Sequence, residues 1–307
     1  MFSRKSVITG KIETTYGTDS TPDAASDAIR VSNLQSTPLA AQYQRREIVD
    51  ARFGSFGMTP VGIHSRVSFD VELVGGGAAG TPPPFATVLR VCSLAETINV
   101  GTDVQYAPIS DDPESGSFYG YLNGSFKKHL GLRGTGVLSF SAGAFPKFSF
   151  EGTALYVPSA DIALPNATYP AAPAPIALSN ANTPTHTLHG VSLSTRALTV
   201  TLGNSVIHRD IAGDEGVLIT GRFSTGRLSV DRVLTASFNP EAVAAAQTQD
   251  AFQFVHGTVA GNIIQIDAPK TQIVGIDETD DNGIAGWDLA LDFGLDTADS
   301  ELLLTFK

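Results

Sequence analysis

The side chains that could do chemistry in this chain are few and scattered. Six histidines occur (His64, His129, His186, His189, His208 and His256), and only His186 and His189 are close in sequence. Two imidazoles three residues apart could share a zinc ion, but a tetrahedral site needs two further ligands. No cysteine or carboxylate stands beside the pair, which is expected on the surface at the end of a linker. The densest acidic run is Asp277-Glu278-Thr279-Asp280-Asp281-Asn282-Gly283. A calcium loop sets oxygen ligands at alternate positions, then a glycine, then a closing Glu. This run keeps neither the register nor the Glu. Asn282-Gly283 instead has the chemistry of a two-residue hairpin turn, where both central residues take positive φ.

No strand–Ser–helix elbow of the G-x-S-x-G type, no P-loop and no H-E-x-x-H zinc helix is present. Two carboxylates for glycoside hydrolysis can be assembled from any part of a chain, but one Trp and seven Tyr give few platforms for stacking on sugars. The sequence therefore offers no catalytic residue, no metal site and no cofactor motif. Cys92 is the only cysteine, so no intrachain disulfide is possible, which suits assembly in a reducing cytoplasm. It lies in an apolar stretch and is expected to be a buried thiol.

The elements that would position these groups are strands. Hydrophobic residues make up 42% of the chain and charged residues 17%, so a packed core is expected. Thirty Gly and 17 Pro punctuate short Val/Leu/Phe/Thr runs, the pattern of an all-β chain. The net charge of −11 argues against a dedicated nucleic-acid-binding surface, yet suits a surface past which DNA must slide. No apolar run approaches 18 residues, and Met1-Phe2-Ser3-Arg4-Lys5 leads into no signal-peptide block.

Residues 11–29 read as an irregular arm ending in a short strand or turn. Two extended segments, near Tyr43–Val49 and Arg66–Leu73, flank a glycine-rich stretch and predict a long hairpin with a flexible tip. Val67, Phe69, Val71 and Leu73 alternate with Ser68, Asp70 and Glu72, the mark of a half-buried strand. Pro82-Pro83-Pro84 opens a predicted helix over Phe85–Leu94. Strands are expected at Phe118–Leu122, Gly136–Phe140, Phe145–Tyr156, Leu198–Leu202 and Trp287–Phe293. A second helix, Glu241–Gln249, follows Asn239 as N-cap. Residues 158–185, rich in Pro, Ala, Ser and Asn, read as an extended linker.

The halves on either side of that linker repeat one order of features. Arg46-Glu47-Ile48-Val49-Asp50 is echoed by Arg209-Asp210-Ile211-Ala212-Gly213, and Arg66-Val67-Ser68-Phe69-Asp70 by Arg227-Leu228-Ser229-Val230-Asp231. Each such strand leads to a proline-initiated helix and then to a hairpin with a strongly alternating last strand. The expectation is a first unit over 1–157, the linker over 158–185 and a second unit over 186–307.

Lys11-Ile12-Glu13-Thr14-Thr15-Tyr16-Gly17-Thr18-Asp19-Ser20-Thr21-Pro22, followed by Asp27-Ala28-Ile29, resembles the N-terminus of major tail tube proteins of long-tailed, siphovirus-type bacteriophages. Phe69-Asp70-Val71-Glu72-Leu73 running into Gly75–Gly80, then Leu89-Arg90-Val91-Cys92, Tyr106-Ala107-Pro108 and Gly131-Leu132-Arg133-Gly134-Thr135 agree with it. The likeness covers about residues 8–157; the second half matches in general shape. Ser93 departs from it, standing where the family pattern has a glycine. The resemblance implies a mainly β fold of the tail-tube β-sandwich or barrel type. With the duplication, two tandem units are expected, each with one flanking helix.

The resemblance also implies a non-enzymatic structural subunit of the virion tail, assembled in the host cytoplasm. Subunits join edge to edge into rings that stack into a hollow conduit for genome ejection. Its implied partners are further copies of itself, the tail terminator and distal tail proteins, the tape measure protein and then DNA in the lumen. A chain with two units would close a homotrimer of pseudo-sixfold symmetry; a peripheral second half would leave six chains per ring. The hairpin tip, with Arg46, Glu47, Phe53, Phe56, Met58 and His64, is the expected ring-to-ring contact, and the arm at 1–30 could add to it. No lumen-lining residue is singled out. The competing classes are a carbohydrate-binding or adhesin-type β-sandwich and a β-rich hydrolase.

Overall fold

The computed structural model describes residues 5–297 and 299–307 and is mainly β. The opening residues Met1 to Arg4, part of the arm read above, lie outside the described range. The first half contains β1 (Ser6–Ile12), β2 (Ala28–Ile29), β3 (Ser32–Arg45), β4 (Met58–Glu72), helix α1 (Ala86–Arg90), β5 (Leu94–Asn99), β6 (Asp103–Pro108), β7 (Gly116–Leu122), β8 (Gly124–Ser141), β9 (Lys147–Leu155) and β10 (Ala160–Ile162). The second half contains β11 (Thr185–Leu188), β12 (Val191–Ser192), β13 (Thr195–Thr201), β14 (Asn204–Ile211), β15 (Asp214–Arg222), β16 (Thr225–Asp231), helix α2 (Pro240–Ala245), β17 (Gln249–His256), β18 (Ile264–Asp281), β19 (Ile284–Gly294) and β20 (Leu303–Phe306).

Period-two alternation decides which face of each strand enters the core. Val67, Phe69 and Val71 of β4 are buried, as are Phe148 and Phe150 of β9, with Phe69 opposite Phe150. The intervening Ser68, Asp70, Ser149 and Glu151 take the other face. Phe69, Phe118 and Phe150 form a ring cluster with centroids 4.9–6.5 Å apart. Each such buried side chain contributes roughly 1.5–3 kcal/mol from removal of apolar surface from water.

Eight antiparallel strands form one continuous run in the order β3-β4-β9-β8-β13-β16-β19-β18. Two further layers lie over it: β2-β1-β7-β8-β10, and β12-β11-β17-β18-β20-β6-β5. β8 and β18 belong to both levels. Each is 18 residues long, and its first part pairs in an outer layer while its last part enters the eight-strand run. The changeover is marked by register shifts at Leu130/Arg133 and Ile273/Gly275. The core fills the space between the levels, as the contacts Phe69–Phe118, Phe140–Phe254 and Phe252–Phe293 show. It is one contiguous cluster spanning both halves, from Ile8 to Phe306.

The pairing pattern of the first half recurs in the second. β1, β2 and β7 correspond to β11, β12 and β17; β8, β9 and β10 correspond to β18, β19 and β20. β3 matches β13 with β14, and β4 matches β15 with β16, each pair making a long hairpin. β5 and β6 have no counterpart; they extend the second half's outer layer through β20. Between the halves, residues 163–177 are irregular, and the stretch is pinned by β10 on β8, by Thr168 N–H to Ala24 O (2.9 Å) and by Leu178 beside Gly143.

Several local expectations shift. The strand expected at Tyr43–Val49 ends at Arg45, and the strand Arg66–Asp70 pairs instead with Ser32–Thr37. The first helix stops at Arg90 because Ser93 takes φ 63° and Leu94 begins β5. That left-handed conformation suits glycine, which explains the pattern from which Ser93 departs; its Oγ donates to Ile109 O (2.7 Å). The second helix ends at Ala245, and its cap is as expected, with Asn239 Oδ1 accepting from Ala242 N–H (3.1 Å). β1, β5, β6, β10, β11, β12, β14, β15, β17, the first part of β18 and β20 are not expected from the sequence.

Candidate functional site: open strand edges and two long hairpins

The eight-strand run has two free edges among the described residues. β3 pairs with β4 alone, and from Ile273 to Asp281 β18 pairs with β19 alone. Unpaired N–H and C=O groups in such edges are templates for pairing with another strand. Inside the chain the same type of edge is already joined. β8 and β13 pair over Val137–Ser141 and Ala197–Thr201, so one sheet runs from the first half into the second. The joint is fastened by Ala142 N–H to Arg196 O (2.8 Å) and Leu202 N–H to Gly136 O (3.0 Å).

The face of this run turned away from the core is polar, with Ser68, Ser149, Thr199 and Ser229 between charged residues. Two of its cations are held by carboxylates. Lys147 lies 3.1 Å from Asp70, and Arg227 lies 3.0 Å from Asp288 and 3.4 Å from Asp277. Burial raises the pKa of the Asp70 carboxyl, but hydrogen bonds from Ser149, Asn33 and Lys147, with the Lys147 charge, outweigh it and hold the group below its usual value. A shallow depression of about 320 Å³ runs along this face past Gln35, Ser68, Glu151 and Thr135. The acidic run is thus the end of β18 and its turn, where Asn282 and Gly283 take φ 55° and 89°.

The first hairpin projects freely: every residue from Gln42 to Val61 is exposed. Arg46, Glu47, Phe53 and Phe56 lie in its 46–57 loop, with Phe53 fully exposed, and Met58 opens β4. His64 lies apart from them, farther along β4. Its ring centroid is 4.9 Å from that of His208, and its Nδ1–H donates to Gly62 O (2.8 Å). Burial lowers its pKa, more than that bond raises it, and His208 and Arg66 add to the lowering.

The second hairpin, β14/β15, does not project. It turns out of the sheet after β13 and lies across β4, β8 and β9 of the first half. Asn204 anchors the crossing: its Nδ2 donates to Cys92 O (2.6 Å) and Gly134 O (3.0 Å), and its N–H donates to Thr135 Oγ1 (3.2 Å). Farther out, Val217 N–H donates to Tyr16 Oη (2.5 Å) and Val217 O accepts from Arg133 (2.8 Å). The Arg133 guanidinium lies over the Tyr16 ring at 4.8 Å. The arm carrying Tyr16 is itself fixed by Glu13, whose buried carboxylate accepts from Gly17 N–H, Ser115 Oγ, Ser117 Oγ and Gly131 N–H at 2.7–2.8 Å.

His186 and His189 are separately engaged, His186 with Ser192 Oγ (3.2 Å) and His189 Nε2–H with Thr271 O (2.8 Å). No cluster of three or more metal-ligating side chains occurs among the described residues. Cys92 is fully buried, and burial raises its pKa far above the usual thiol range. Neither the free edge of β18 nor the anchor Asn204 was found from sequence. Ile264, Ile266 and Ala268 alternate as a strand should, but the charge density of 277–281 masks the strand's continuation. A single Asn carries no pattern at all.

Free edges at both ends of the run and a projecting hairpin leave surfaces on which further strands could pair. The family model for phage tail tube protein matches residues 3–304, nearly the whole chain. The chain belongs to the phage tail tube protein family, and is a structural subunit of such a tube. No individual curated protein matches it.

Proposed function

We propose that each chain carries two tube units and that three chains close one ring, with rings stacking into a conduit for genome delivery. The internal joint between β8 and β13 carries this reading. Through that joint the strands of both halves run on as one sheet, while the outer edges of the run stay open. Pairing β18 of one copy with β3 of the next repeats that joint and leaves no edge exposed.

Three runs of eight strands make 24. At about 4.8 Å per strand and a tilt of up to about 40°, a 24-strand cylinder has a backbone diameter of roughly 37–48 Å. Side chains narrow that to a lumen of roughly 30 Å, wide enough for a DNA duplex. Six such chains would double the backbone diameter, a poor guide for one duplex.

In this arrangement the polar sheet face lines the lumen. Serines, threonines, paired cations and carboxylates such as Glu151 give DNA nothing to grip, because phosphate binding needs clustered free cations. The tape measure protein would occupy the lumen before DNA, and the terminator and distal tail proteins would cap the stack. The 46–57 loop, with Arg46, Glu47, Phe53 and Phe56, supplies the ring-to-ring contact; Met58 belongs to the stem below that loop, and His64 is engaged within the chain by His208. End-on class averages of assembled tubes test the proposal by counting chains per ring. Three are expected, and six would overturn it.

A further inference from the structure

We infer that the stem of the first hairpin, residues 42–45 and 58–61, seats in a groove on the second half of a neighbouring copy. This rests on the ring of copies proposed above. The chain contains the precedent, because the second hairpin already crosses the first half in this way. It departs at Gly203, whose φ of 70° turns the strand and where a Cβ would fall 1.9 Å from Phe223 O. Its inward face is Val206, His208, Val217 and Ile219, set by the pairs Val206–Ile219 and His208–Val217. The first hairpin bends at the matching point, with Gly62 at φ 60° and register shifts on either side of Ala40.

Beyond the bend the first stem is two-faced. The pairs Tyr43–Pro60 and Arg45–Met58 put three apolar side chains and one cation on one face. Gln42, Gln44, Thr59 and Val61 take the other. Tyr43 is 57% exposed and Met58 52%, although their face corresponds to one that is covered in the second hairpin.

The matching seat on the second half is open. The second hairpin lies near the ends of β4 and β9, by His64 and Leu155. At the corresponding ends of β16 and β19 is a groove of about 670 Å³ that includes Phe223, Asp292, Leu295 and Asp111. Phe223 is 78% exposed and Leu295 63%. Asp111 and Asp292 have no salt-bridge partner among the described residues, so an apolar face carrying Arg45 fits in shape, polarity and charge. With β3 laid on the free edge of β18, as β13 lies on β8, the neighbour's stem reaches this groove.

The test uses the full chain with Tyr43→Asp in the stem and, separately, Phe223→Asp in the groove. Both positions are exposed in the monomer, so circular dichroism and the unfolding midpoint should match wild type. Each substitution is expected to weaken the joint roughly 10- to 100-fold and leave monomers by mass photometry at concentrations where wild type forms rings. Mixing the two variants leaves one intact stem facing one intact groove, so complexes of two chains are expected and closed rings are not. Closed but unstacked rings of Tyr43→Asp alone would overturn the inference, placing the stem between rings; so would mixtures that remain monomeric. The two-chain complex reads the seat whatever number of chains closes a wild-type ring, so its failure is separable from failure of the three-chain reading.

Discussion

Asn204 makes the sharpest stability prediction, because one side chain ties the second hairpin to both β8 and the turn that follows the first helix. Asn204→Ala deletes two hydrogen bonds to the buried carbonyls of Cys92 and Gly134. Losing a partner costs a buried polar group about 1–3 kcal/mol. Gly134 and Cys92 lie in the core, and water cannot easily replace the amide, so a total of about 3 kcal/mol is expected. For a chain of 307 residues the unfolding entropy near 60 °C is about 0.65 kcal/mol per kelvin, which converts the loss to a fall of about 5 °C in Tm. Asn204→Asp should fall further, because it keeps the shape but points a carboxylate at two carbonyl oxygens. Scanning calorimetry of the unassembled protein reads both variants. An alanine variant within about 1 °C of wild type would refute the view that this crossing is a core contact.

Buried histidine sets a pH dependence. His129 is buried against Ser65 and Ser36, and burial, with a smaller effect from Lys127, pushes its pKa down to about 4. The unfolded chain takes up that proton near pH 6.5, so stability is full above that pH and is lost as pH falls toward 4. Over pH 6.5 to 4.5 the loss should be about 2–3 kcal/mol, and His129→Gln should flatten the slope in urea titrations. Glu13→Gln should cost about 1–3 kcal/mol, because an amide nitrogen must face either Gly17 N–H or Gly131 N–H; a midpoint equal to wild type in chemical denaturation would contradict this. The Cys92 thiol should resist a chromogenic disulfide reagent in the native protein and react at once in guanidinium; rapid native labelling would show that the core opens there.

Much of the architecture is legible in local pattern. The alternations at Arg66–Leu73, Phe148–Phe150, Leu198–Leu202 and Trp287–Phe293 name four strands of the eight-strand run, because a side-chain period of two must place one set of residues in the core. Asn239-Pro240 and Asn282-Gly283 mark a helix start and a turn through backbone chemistry that needs no neighbours. The repeated order of features across the chain is matched by the repeated pairing of strands. Sequence also marks the exposed hairpin tip, since Gly54, Gly57 and their apolar neighbours form no periodic face.

Which edges are used up and which stay open was decided only in three dimensions. β8 and β13 are joined while β3 and the end of β18 are not, yet nothing in their residue types separates these edges. Pairing is a property of backbone groups that every residue carries alike. The unlike fates of the two hairpins follow the same rule: one is exposed and the other is laid over the first half at Asn204 and Val217. Residue type sets the face a strand turns to the core, through the apolar surface it removes from water. Which strand lies beside it depends on long-range contacts that bring together residues far apart in sequence, and those exist only in the folded chain.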